Sequence, residues 1–484
     1  MQAETLVELI LILGVFAAPL LWVWRYPLET ALAVLAYLSV EELILNYVPD
    51  ALYAPARLGP EVLLLVGAAS ALLRTYGERG WKIRLFWPEL ALLAVLLLGA
   101  AVAVIRRVPP IFTVIGLRWL FRYLPLYIIW RLRGDSARLS LLVRVAAAVV
   151  FIQGVIGVTQ AALQWSGVPI LDWMQATVGR ADLGGVDIVT GGTKQQLGKP
   201  FYVFGTPGRY HRYGIFLVAA GLLPVFAFLY RLRSDRLRKV GLVVTAVALM
   251  LSTSRQAMLL AALSVLSMAW LRLGLPERAA TMIRGASVLG FWAGLVIVWT
   301  GLWAALREGS ALLSRLVDIR TLGFRAFYLI VIVPRVLRES HFLGFGAGTF
   351  ASRPHVLAYP DQYLKWGFPG RWTLQFSYDS EWAILLGQYG VPGFFLFYAA
   401  VLGFGWLMWR HLKRTRPASA ERVVLACGAC LALVLPFLGG VGAEMGSRTT
   451  AYVVWSVLGA GMSQVVQYRH SERLSAEAPP GHTQ

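Results

Sequence analysis

Residues 85–105 read LFWPELALLAVLLLGAAVAVI and carry one charge, Glu89. At 1.5 Å of rise per residue a helix of this length crosses the roughly 30 Å of a bilayer core, so lipid is the solvent that suits it. The pattern recurs before it at 6–24, 28–48 and 62–76, and after it at 111–130, 139–165, 213–230 and 240–251. It continues at 257–273, 286–306, 382–409, 423–438 and 451–466. The expectation is an all-α polytopic membrane protein of about twelve or thirteen spanning helices, the lower number applying if the stretch around Arg118 and Arg122 lies partly in the interface. Composition agrees, because 58% hydrophobic and 14% charged residues lie outside the range of soluble domains. The mean hydropathy is +0.64.

The formal net charge is +20. A surplus of that size suits either nucleic acid or an anionic membrane surface, and the placement of the basic residues favours the membrane. They gather in short connections at Arg74, Arg79, Lys82 and Arg84, at Arg131, Arg133 and Arg138, and at Arg231, Arg233, Arg236, Arg238 and Lys239. The series continues with Arg272, Arg278 and Arg284, with Arg410, Lys413, Arg414, Arg416 and Arg422, and with Arg469 and Arg473. These are every second connection, so the positive-inside rule puts them and the C-terminus in the cytoplasm against anionic lipid head groups. The N-terminus is external if every segment spans and internal if one of the first five does not.

Two long polar stretches, 166–212 and 307–381, then fall on the external side. A transport pore has little need of two soluble loops on one face, whereas an enzyme working there does. The expected organisation is N-terminal spanning helices at 1–165, a first external loop at 166–212, central helices at 213–306, a second external loop at 307–381, C-terminal helices at 382–468 and a cytoplasmic tail at 469–484. The first apolar segment lacks a basic leader and a small-residue cleavage site and reads as a retained helix. The tail from Ser471 is polar, contains a Pro-Pro pair and reads as disordered. Cys427 and Cys430 form C-x-x-C inside an apolar helix, where core packing is the simpler reading. No internal repeat is evident, so an inverted-repeat transporter gains no support.

The basic residues outside the cytoplasmic series carry the chemistry. Residues 202–216 read YVFGTPGRYHRYGIF and place Arg209, His211 and Arg212 where the first external loop enters a helix. Residues 252–256, STSRQ, form a short external connection holding Arg255. Arginine at the edge of hydrocarbon costs up to about 3 kcal/mol and generally has a partner or a function. Either these arginines grip a phosphate through their planar forks, or they snorkel and pair with loop carboxylates.

In the second loop, 322–339 is apolar but punctuated by Arg325, Pro334, Arg335 and Arg338, as in an interfacial helix. Residues 341–350, HFLGFGAGTF, follow it; the G-x-G-x-G spacing on an external face suits a tight turn better than a nucleotide loop. Asp379 and Glu381 then stand in YDSEWAILLGQYGVPGFF at the entry to the next span. A carboxylate there can take the proton of an attacking hydroxyl, with Asp379 first and Glu381, His341 and His355 behind it. The Asp-x-Glu spacing could instead hold a divalent cation, the less favoured reading, and Asp379 alone could be a helix cap.

This order of motifs resembles the O-antigen polymerase and O-antigen ligase family: an arginine before R-x-G-x-F, Ser-Arg heading a short helix, G-x-G-x-G-x-F, and a polar residue eleven positions before G-x-x-G. The resemblance spans 209–393. It implies a bacterial inner-membrane glycosyltransferase with a GT-C-like helical fold, an external active site and no metal or other cofactor. The donor it implies is a glycan on undecaprenyl diphosphate, with a glycan acceptor, membrane lipids and a chain-length regulator as further partners and no nucleic acid. Arg212 and Arg255 match the family arginines, with Arg209 beside the first, and would grip the diphosphate. Ligases usually have histidine where this chain has Asp379, which favours a polymerase joining repeat units for O-antigen, capsule or exopolysaccharide. A ligase acting on lipid A core or protein is the alternative, and a lipid-linked sugar flippase the second.

Overall fold

The computed structural model describes residues 18–80, 83–166, 203, 205–206, 210–232, 236–289, 329, 332–350, 353–366, 380–441 and 448–477. All regular structure among them is helical. The helices are α1 Pro27–Tyr47, α2 Asp50–Arg79, α3 Trp87–Ile105, α4 Pro110–Phe121, α5 Leu124–Arg133, α6 Ser136–Trp165, α7 Tyr210–Leu229, α8 Arg236–Ser252 and α9 Arg255–Leu271. The short helices α10 Val333–Glu339, α11 Arg353–Ala358 and α12 Pro360–Trp366 precede α13 Glu381–Leu412, α14 Ala420–Val441 and α15 Arg448–Glu477.

Among the described residues six helices are long and apolar enough to cross a membrane, or seven if α4 and α5, bent by 47°, form one span. The protein is therefore a multi-pass helical membrane protein with fewer demonstrable spans than the apolar runs suggest. Lys239–Ser252 and Arg255–Leu271 are shorter than a span. The runs at 6–24 and 286–306 lie largely outside the described residues. The bend between α4 and α5 falls at Arg122 and Tyr123, in the stretch the sequence marks as ambiguous, and Pro125 opens the second piece. The start of the polar tail differs from expectation, since α15 stays helical to Glu477 and Glu472 pairs with Arg414, while the Pro-Pro pair lies outside the described residues.

One apolar core joins most of the helices, with Trp130, Tyr213, Phe216, Phe397 and Trp455 fully buried in it. Cys427 and Cys430 are part of this core, and the Cys430 Sγ lies 3.6 Å from the Ser264 carbonyl. Helix α13 packs on α3 and α14, and α14 packs in turn on α9. A smaller core of Val336, Phe345, Phe350, Tyr363 and Trp366 packs on Ala383 and Ile384, fixing the layer at 332–366 to the first turn of α13.

The described basic connections converge on one end of this bundle. Arg133 pairs with Glu78 at 2.8 Å, Arg131 with Glu89 at 3.0 Å, and Gln467 donates to the Gly134 carbonyl at 2.9 Å. Arg422 stands 5.0 Å over the Tyr230 ring, and the Trp409 indole donates to the Leu271 carbonyl at 3.2 Å. Described parts of both polar stretches pack at the opposite end. Val203 bonds to Leu251, the Gly205 amide donates to Gln160 on α6 at 2.9 Å, and the Ser380 hydroxyl donates to Gly439 at 3.3 Å.

Arg448, at the start of α15, pairs with Glu41 of α1 and, at 2.8 Å, with Glu61 of α2. Glu61 also receives a two-pronged bond from Arg118 of α4 at 2.6 and 2.8 Å. Buried charges need partners of this kind in an apolar surround, and the set clamps four helices together.

Candidate functional site

The G-x-G-x-G segment and the G-x-x-G at Gly390 form one interlocked unit. Pro392 has no N–H, so the Gln388 carbonyl four residues earlier has no intrahelical donor. Gly390 takes φ 67°, breaking α13 at that point, and the Val391 amide turns away to the Phe342 carbonyl at 2.9 Å. The two carbonyls thus released accept from the glycine segment: Phe345 N–H reaches Gly387 at 3.0 Å and Gly346 N–H reaches Gln388 at 2.9 Å. The Gln388 side chain completes the clasp, accepting from Gly348 N–H at 2.9 Å and donating to the Phe350 carbonyl at 2.6 Å.

Glycine is required because backbone meets backbone. Gly346 has φ 97°, and a Cβ there would stand 2.6 Å from the Cα of Ala103 on α3. A Cβ on Gly348 would fall into the Phe112 carbonyl of α4. The expected tight turn is thus a plug of bare backbone seated between α3, α4 and the kink of α13.

This plug helps to wall a cavity of about 600 Å³ at the C-terminal end of α3, lined by Arg106, Arg107, Phe345, Thr349, His355 and Tyr359 among others. The Arg106 guanidinium donates to the Ser340 carbonyl at 3.1 Å and lies 4.8 Å over the Phe345 ring. Arg107 is exposed and takes φ 55°, ending α3 while Val108 N–H caps the Ala103 carbonyl at 2.9 Å. Both cations sit where the negative end of the α3 dipole favours them.

His355 is 6% exposed and packs against the rings of Phe112, Tyr359 and Tyr363. Its Nδ1 lies 3.2 Å from the Tyr363 hydroxyl, and that hydroxyl donates its one proton to the Thr349 carbonyl at 2.8 Å. Tyr363 can therefore only accept from His355, so the neutral ring carries its proton on Nδ1 and its lone pair on Nε2. Burial lowers the histidine to about 4, which keeps it neutral at pH 7.

A second cationic cluster lies on the other flank of the α13–α14 pair. Ser254 caps α9 by accepting from Ala257 N–H at 3.2 Å, and Arg255 is the first residue of that helix and exposed. Helix α7 begins against this turn, so closely that a Cβ on Gly214 would stand 2.8 Å from the Cβ of Ala257. Arg212, half-buried in the first turn of α7, and Arg255, the first residue of α9, therefore belong to two helix starts in contact, and helix N-termini favour an anion.

The other expected site residues are dispersed. Glu381 is buried in the first turn of α13, where Tyr398 donates to it at 3.2 Å; beside it Trp382 donates to the Pro436 carbonyl at 2.7 Å. His341 is exposed at φ 52° in the turn after α10. Asp379, Arg209 and the side chain of His211 lie outside the described residues. Sequence reasoning missed Arg106 and Arg107. Their signal is a pair of arginines followed by Val-Pro-Pro directly after an apolar helix, in a connection that the every-second-loop series skips. No protein-family description matches the chain, and no curated protein matches it.

Proposed function

We propose that the protein is a polysaccharide polymerase of the inner bacterial membrane, with about twelve or thirteen spans in a GT-C-like arrangement and its basic end in the cytoplasm. It joins oligosaccharide repeat units carried on undecaprenyl diphosphate at the opposite face. The observation that supports this reading is the presence of two pairs of arginines at that one end, Arg212 and Arg255 at the starts of α7 and α9, which pack on α14, and Arg106 and Arg107 at the end of α3, which packs on α13. A polymerase handles two lipid diphosphates at once, one carrying the growing chain and one the incoming unit.

The chemistry asks little beyond neutralisation of charge. The diphosphate is already a weak base, and fixed guanidiniums stabilise the charge it gains as the glycosidic bond breaks. A hydroxyl of the incoming unit attacks the anomeric carbon from the opposite side and inverts it. Asp379, the first of the bases that the sequence suggests, lies outside the described residues.

The test is incubation of purified protein in proteoliposomes with undecaprenyl-diphosphate-linked repeat units as the sole sugar source. A ladder of longer lipid-linked glycans supports the polymerase. Transfer only after lipid A core is added means a ligase, and passage of labelled lipid across the bilayer without transfer means a flippase.

A further inference from the structure

We propose that the cavity at the end of α3 is the acceptor-sugar subsite and that His355 is the general base for transfer, an assignment that rests on the glycosyltransferase reading above. Pockets for small ligands run to about 300–1,000 Å³, and a cavity of about 600 Å³ takes one or two sugar rings. Its walls suit that ligand. Tyr359, 42% exposed, offers a flat apolar face to the C–H side of a pyranose, while Gln362 offers a polar group to its hydroxyl rim and Arg107 a charge to its diphosphate.

The Tyr363 to Thr349 bond gives His355 its direction. With Nδ1–H committed to the Tyr363 oxygen, Nε2 is the nitrogen that can accept a proton. In the step assigned here, the acceptor oxygen bonds to the anomeric carbon and the bond from that carbon to the diphosphate oxygen breaks. The lipid diphosphate leaves with the electron pair, and the hydroxyl proton passes to Nε2, from which water removes it. A weak base suffices, because the attacking oxygen becomes strongly acidic once its new bond begins to form. The charged or titratable groups around His355 are Arg106 and Arg107 of α3, which line the same cavity, and Tyr359 and Tyr363 beside the ring.

The test uses the full-length protein in proteoliposomes with undecaprenyl-diphosphate-linked oligosaccharide extracted from the source cells. His355→Gly lowers ladder formation by about 100-fold or more, the range expected for loss of a general base, and added imidazole restores a measurable part. Tyr363→Phe, which frees the ring, lowers the rate by about 10-fold. A His355→Gly rate within a few-fold of the parent, or a loss that imidazole does not relieve, overturns the assignment. Nitrogen-15 NMR of labelled histidine gives an independent readout: an Nδ1–H tautomer at position 355 supports the assignment, and an Nε2–H tautomer overturns it. If the parent protein makes no ladder while the Nδ1–H tautomer is present, the glycosyltransferase reading has failed and the base assignment falls with it.

Discussion

The Gly346 amide donates to the Gln388 carbonyl at 2.9 Å, an acceptor set free because Pro392 cannot use it. Two short glycine motifs, far apart in the chain, are thereby halves of one joint. Gly390→Ala puts a side chain at φ 67° and drives its Cβ into the backbone at 342–344. The expected cost exceeds the roughly 1–2 kcal/mol of left-handed backbone alone. Thermal unfolding in detergent would fall by several degrees, with faster amide exchange across 342–350; an unchanged transition would contradict the joint.

Arg448 is the second structural test. Its substitution by Met leaves Glu41 buried without its arginine and strips Glu61 of one of two cationic partners. Breaking one side of a buried pair costs about 3–5 kcal/mol, so Arg448→Met should unfold well below the parent. Arg448→Lys should recover only part of this, since a single ammonium cannot reproduce the bonds to Glu41, Glu61 and the Arg57 carbonyl together. A variant as stable as the parent would show that these helices are held by apolar packing alone.

Arg106 links the end of α3 to the turn after α10. Arg106→Ala removes a charged hydrogen bond to Ser340 and the cover over Phe345, a loss of about 1–3 kcal/mol felt in the 332–366 layer. Limited proteolysis of that layer should quicken while the helical signal of the bundle is kept. Equal protease sensitivity in parent and variant would show that the small apolar core holds the layer unaided.

His355 sets a pH dependence. Its folded value, about 4, lies below the ordinary histidine range, so the unfolded chain binds the proton first as pH falls. Stability from this group is complete above pH 6.5 and declines as the pH drops from about 6.5 towards 4. In His355→Gln that part of the decline should disappear. Unfolding midpoints of parent and variant at pH 7 and pH 5 measure it, and the same slope in both would contradict the burial of an uncharged ring.

Much of this architecture was legible in the sequence because hydrocarbon imposes simple rules. Long apolar runs announced the helices, and the alternation of Arg74–Arg84, Arg131–Arg138 and their successors marked connections that do meet at one end. What could not be read depends on contacts between distant positions. Glu41 and Arg448 look like unrelated polar residues until the fold joins them. The glycines at 344–348 signal a turn, but their partners are the Gly387 and Gln388 carbonyls at the break in α13, which no local pattern discloses. Arg106 and Arg107 stand in a connection outside the regular charge series, and their surroundings form only when α3 meets the glycine segment. The cavity they line exists only in the folded chain.

The most direct measurement is polymer formation in proteoliposomes supplied only with undecaprenyl-diphosphate-linked repeat units, comparing the parent protein with Arg255→Ala and Arg107→Ala. The account predicts ladders from the parent and a fall of about 100-fold in each variant, with unfolding temperatures unchanged because both side chains are exposed. Full-length ladders from both variants, or none from the parent under conditions in which it remains folded, would contradict it.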